Sequence, residues 1–95
     1  MSSESEQGIN PEHERAASLG VARAEVAKAL ADGRPLDQAF IEEVSMMVHA
    51  AWEERNAWRA KDIDLVPYHE LAESEKEKDR IFVHQAISEH MANAQ

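Results

Sequence analysis

The chain contains no cysteine. A disulfide framework, a thiolate nucleophile and a cysteine metal cage are all excluded by that one absence. Glycine is scarce, with three residues in 95, and no run of them could cradle a phosphate on successive backbone amides. Aromatic residues are few: two tryptophans, two phenylalanines and one tyrosine. No apolar run approaches the ~20 residues of a membrane-spanning helix. Met1 to Gln7 is rich in serine and glutamate and lacks the cationic start and apolar stretch of a signal peptide. The expectation is a soluble, cytoplasmic protein. Cations are also in short supply, with 10 Lys and Arg against 19 Asp and Glu, a formal charge of −9. Such a balance disfavours nucleic acid, whose phosphates need basic partners, and an anionic membrane surface. It suits a basic protein partner, or simple solubility.

Ninety-five residues allow one domain with one modest core. Residues 1–9 are polar and charged and read as a flexible tail, leaving 10–95 as the domain. Asn10-Pro11-Glu12 is a helix start, with Asn at N-cap, Pro at N1 and an acid in the first turn. The predicted helix runs to about Asp32 and stops at Gly33. Its apolar stripe is Ala16, Leu19, Ala22 or Arg23, Val26, Ala29 and Leu30, a small, alanine-rich face. Arg34 and Pro35 form the link. A second helix, from about Leu36 to Trp58, carries the widest stripe: Leu36, Phe40, Ile41, Val44, Met47, Val48, Ala51 and Trp52. Ser45 and His49 fall near its edge. Pro67 fixes its own φ and biases Val66 toward an extended conformation. A turn around Tyr68 to Leu71 follows. Ser74 and Glu77 have the spacing of a capping box, with Ser74 at N-cap. The last helix runs from about Glu73 to Ala92, with Arg80, Val83, His84, Ile87 and Met91 on one face. No segment alternates long enough for a strand. The predicted fold is all-α: a small bundle of three main helices with an extended Pro-Tyr loop before the last.

The segment LVPYHELAESEKEKDR, residues 65–80, is too ordered to be a random acidic surface. Val66, Pro67, Tyr68, Leu71, Glu73, Ser74, Glu75, Lys76, Glu77, Asp79 and Arg80 resemble the signature of the ryanodine-receptor repeat (RyR) domain family. His49 and Trp52 match the His-x-x-Trp pair of that family's preceding helix. The two motifs stand in the right order and span about half the chain, from roughly Phe40 to Ile87. The chain looks like a short, stand-alone member of prokaryotic or phage type. It departs from the family in three ways. The glycine-tryptophan step and long basic hairpin between the motifs are reduced to 56–64. Trp58 stands in for the second tryptophan with no glycine before it. Ala72 replaces a proline that commonly follows the leucine. The resemblance implies a helical binding module of the kind proposed to sense nucleotide-derived ligands. It also implies pairing, since the receptor repeats come as two-fold related pairs. A homodimer through the alanine-rich first helix or Met46–Met47 is the corresponding expectation.

Five residues are candidates for a ligand site: His49, Trp52, Trp58, Tyr68 and Arg80. Trp52 reads either as a core anchor beside Val48 or as a face on which a flat base stacks. Trp58 reads as a partly buried cap or as a second wall of the same cleft. His49 lies one turn before Trp52 and either satisfies loop carbonyls near Pro67 or hydrogen-bonds a ligand. Tyr68 is expected to pack its ring at the core edge and leave its hydroxyl for a partner. Arg80 falls on the inward stripe, where it clamps helix two through Glu53 or a backbone carbonyl, or holds a phosphate. His49 and Glu53 have the i, i+4 spacing of a metal pair, but no third ligand is assignable. No serine sits in a nucleophile-elbow pattern, and no other catalytic set is apparent. The expectation is a non-catalytic module without cofactor, binding a nucleotide-like molecule. The alternative is an acidic protein-interaction or inhibitor module that docks a basic partner.

Overall fold

The computed structural model describes residues 10–59 and 65–93. Three helices carry the fold: α1 (Pro11–Asp32), α2 (Gln38–Arg55) and α3 (Glu73–Asn93). Two single 3₁₀ turns, Ala57–Arg59 and Tyr68–Glu70, flank the undescribed stretch between α2 and α3. Among the described residues there is no strand, and all three helices pack on one another. The all-α three-helix bundle expected from the sequence is the fold observed.

Local chemistry sets the ends of α1. The Asn10 side-chain oxygen accepts from the Glu12 and His13 amides at 3.0 and 3.3 Å, occupying two of the donors a helix leaves unpaired. Gly33 adopts φ 74°. Its amide donates to Leu30 O and that of Arg34 to Ala29 O, the paired bonds of a Schellman ending. Helix α2 begins one residue after Asp37, whose carboxylate accepts from the Phe40 amide at 3.0 Å. It ends at Arg55, earlier than the predicted Trp58. Asn56 turns back, donating from its backbone and its side chain to Trp52 O at 3.0 and 2.8 Å, and so competes with helix continuation.

The capping box of α3 is not formed. The helix starts at Glu73, and the Ala72 carbonyl accepts from the Glu75 and Lys76 amides, which makes Ala72 the cap residue and places Ser74 in the first turn. The carboxylates of Glu73 and Glu77 are drawn instead to Arg80, at 3.0 and 3.4 Å. A guanidinium outcompetes a cap amide for a carboxylate because the pairing is charge-assisted at both ends.

The core joins Leu19, Ala22, Val26 and Ala29 of α1 to Phe40, Ile41, Val44 and Val48 of α2 and to Val83 and Ala86 of α3. The small α1 side chains allow close approach and bury little area each. Several stripe residues fall outside this core. Ala16, Arg23, His84 and Met91 are exposed, as are Leu30 and Met47 at the margins. Ser45 and His49, expected at the edge of α2, are buried. With helices on two sides, the buried sector of α2 is centred closer to Ser45 than a stripe ranked by hydrophobicity suggests. Ion pairs brace the seams. Arg23 meets Glu89 of α3 through two 2.8 Å bonds, and Arg55 meets Glu14 of α1 at 2.9 Å and Ser18 at 3.3 Å.

Candidate functional site

The C-terminal half of α2, the loop before α3 and the first turns of α3 meet around one imidazole. His49 is buried. Its Nε2 lies 2.6 Å from Val66 O, and its Nδ1 lies 3.3 Å from Asp79 Oδ2. A carbonyl can only accept, so Nε2 carries the hydrogen and donates it. The ring stacks on Trp52, with centroids 5.7 Å apart and planes 21° from parallel. The Tyr68 ring stands 6.4 Å away on the far side of the seam. Glu53, one turn along α2, brings Oε2 to 3.7 Å of Nε2. His49 therefore does what one reading of the sequence expected, satisfying a carbonyl beside Pro67, and it also faces a carboxylate that reading did not include.

Asp79 is the unusual member. Its side chain is 13 % exposed, and burial pushes its carboxyl up to about 6, against the lowering effect of His49. Asp79 was visible in the sequence only as part of a charge run. Helical spacing puts it on the same face as the buried Val83 and Ala86, while Lys78 stays exposed.

A second cluster lies across the seam. Tyr68 is buried, and its hydroxyl donates to Glu42 Oε1 at 2.7 Å, so the hydroxyl expected to be left for a partner is already engaged. Burial and the neighbouring Glu42 carboxylate push the phenol up to about 12. Arg80 grips the same carboxylate from Nε at 2.6 Å and Nη2 at 3.2 Å. The Arg80 guanidinium in turn holds the Glu42 carboxyl below its ordinary range, and that of Glu73 likewise. The clamp expected from Arg80 to helix two is present, but through Glu42 in place of Glu53 or a carbonyl. Three carboxylates surround the guanidinium, leaving it poorly placed to take a phosphate.

Next to the His49–Trp52 stack a cleft of about 450 Å³ opens between the three helices. Pro11, Glu14, Arg15 and Ser18 of α1 form one wall, and His49 and Trp52 form the second. Leu71, Glu75, Lys78, Asp79 and Phe82 form the third. Glu14 is neutralised by Arg55 and Lys78 by Glu75. Among the described residues no carboxylate lies within ion-pairing distance of Arg15, which lines the cleft. Of the five residues singled out from the sequence, the structure places His49 and Trp52 in the cleft wall. Tyr68 and Arg80 lie behind that wall, tied to each other through Glu42. Trp58 lies outside it: the ring is 59 % exposed, with the Arg59 guanidinium 6.0 Å from its centroid. Arg15 and Phe82 were not picked out, Arg15 because it belongs to the helix for which the resemblance offered no counterpart.

Among the described residues no helix is long and apolar enough to cross a membrane, and no group of three or more His, Asp or Glu side chains is arranged to hold a metal ion. Comparison with protein-family models, with curated proteins and with solved structures finds no match to this chain.

Proposed function

We propose that this protein is a non-catalytic binding module, and that the cleft beside Trp52 receives a nucleotide-derived small molecule. The observation that carries this reading is the composition of the cleft. One wall is a half-buried indole stacked on an imidazole, and the wall from α1 carries Arg15, which has no ion-pair partner among the described residues. A flat base set against an aromatic side chain gains ~1–3 kcal/mol, and a guanidinium pairs well with phosphate oxygens. The volume of about 450 Å³ suits a small ligand, since such pockets commonly span roughly 300–1,000 Å³. Leu71 and Phe82 add apolar lining. The resemblance to RyR repeats supplies the chemical class and agrees with the position of His49 and Trp52. In this reading Tyr68, Glu42 and Arg80 brace the wall and do not touch the ligand, and Trp58 takes no part.

A thermal-shift panel of adenine nucleotides, cyclic nucleotides and ADP-ribose derivatives tests the proposal. A binding compound at about a hundredfold its Kd adds about 2.7 kcal/mol of stability and raises the melting temperature. Arg15 is exposed on α1, so Arg15→Ala is expected to leave the unliganded melting temperature within about 2 °C of wild type and to abolish the ligand shift. If no compound moves the melting temperature, the reading fails. A salt-sensitive pull-down of a basic protein would then favour the docking module. Light scattering separately decides whether two copies pair, as the receptor repeats do.

A further inference from the structure

His49 stands between two acceptors. Val66 O, at 2.6 Å, requires a hydrogen on Nε2. Asp79 Oδ2, at 3.3 Å, faces Nδ1. A neutral imidazole has one hydrogen, so one that serves Val66 presents a lone pair to Asp79. Two arrangements satisfy both contacts: an imidazolium beside a carboxylate, or a neutral ring accepting from a protonated Asp79. Each holds one proton beyond that on Nε2. Without it, Nδ1 opposes the carboxylate, or the ring shifts its hydrogen to Nδ1 and opposes the Val66 carbonyl.

We propose that one proton shared by His49 and Asp79 latches three elements together, the loop at Val66, α2 and α3, and that its loss releases the loop side of the latch. Both latch side chains are nearly buried, at 10 % and 13 % exposure, so water compensates little for a lost contact. The charged groups around the pair act in both directions. From α2, Glu53 lies 3.7 Å from Nε2 and favours the proton. From α3, Glu75 also favours it at Asp79 and Lys78 opposes it. From the turn before α3, Tyr68 brings only its ring. From α1, Glu14, paired with Arg55, and Arg15 line the same cleft. Because His49 and Asp79 also wall the cleft, the latch gives it a proton-dependent wall. The effect on a ligand rests on the function proposed above, whereas the latch itself does not.

Nuclear magnetic resonance on the unliganded protein tests the latch. Between about pH 5 and pH 7, around the value of about 6 to which the Asp79 carboxyl is raised, the Val66 carbonyl carbon and the His49 ring nitrogens are expected to shift with one common midpoint. Asp79→Asn should remove the Val66 step, because an amide can donate to Nδ1 while Nε2–H stays on Val66, with no extra proton needed. His49→Gln keeps a donor for Val66 O, has no proton to lose in this range, and should remove the step as well. Circular dichroism identifies which variants keep the helical fold, and either one that does is decisive. A wild-type protein without the step, or a folded variant that retains it at the same midpoint, overturns the latch. Because no ligand is present, the result stands apart from the thermal-shift panel.

Discussion

At the residue scale, the two described glycines make opposite predictions. Gly20 lies mid-helix on an exposed face, and a Cβ there would meet nothing within 4 Å. Gly20→Ala is therefore expected to stabilise the fold by about 0.5–1 kcal/mol, through helix propensity and a less flexible unfolded chain. Gly33 has equally open surroundings but sits at φ 74°. Gly33→Ala is expected to cost roughly 1 kcal/mol, because a side chain disfavours the left-handed conformation that ends α1. Urea unfolding of both variants checks the pair, and equal effects of the same sign would contradict it. Gly33 was legible from the sequence as a stop because the apolar pattern ends there. The burial of Ser45 was not. Its hydroxyl is fully buried with no hydrogen-bond partner among the described residues, a placement that arises from two helices closing over α2 and that periodicity alone does not reveal.

At the element scale, one carboxylate ties several groups together at the junction between α2 and α3. Glu42 accepts from Tyr68, Arg80 and Gln38. Glu42→Ala leaves the buried Tyr68 hydroxyl without its charged acceptor, a loss of about 1–3 kcal/mol. Glu43→Ala, which removes only an exposed pair with Arg34, should cost under about 1 kcal/mol. Thermal unfolding of the two variants separates the positions, and a smaller loss at 42 than at 43 would contradict this account of the junction. Helix ends were readable where they depend on neighbours in sequence, as at Asn10, Pro11 and Gly33. The cap of α3 was misread: Ser74 and Glu77 have capping spacing, but the helix already starts at Glu73, and Arg80, three residues on, claims the Glu77 carboxylate. The end of α2 was misplaced for a related reason, since Asn56 carries its own competing hydrogen bonds.

At the scale of the whole molecule, pH dependence reports how the parts are joined. The Asp79 carboxyl is held up at about 6, above the ordinary aspartate value of about 3.9. The folded state thus binds a proton that the unfolded chain gives up at lower pH. The corresponding stability is fully present below about pH 4 and is lost as pH rises through about 6. The lowered carboxyls of Glu42, Glu73 and Glu89 act in the opposite sense, but only in more acidic solution. Urea unfolding between about pH 5 and pH 7 should therefore show the stability of the wild type falling relative to that of Asp79→Asn as pH rises. A difference between the two that stays constant, or grows in favour of the wild type as pH rises, would rule out the assignment. The bundle and the neighbourhood of His49, Trp52 and Tyr68 could be anticipated from the chain, because motif order brought α2 toward the loop. The contribution of α1 to the cleft could not, since only packing brings Arg15 and Trp52 to one cleft. His49 reaches the main chain at Val66, and the ring of Pro67, at φ −59°, restricts how that main chain can lie. Natural variation at 66 can therefore exchange one side chain for another while the carbonyl keeps its aim, whereas losing the five-membered ring at 67 would set that oxygen adrift.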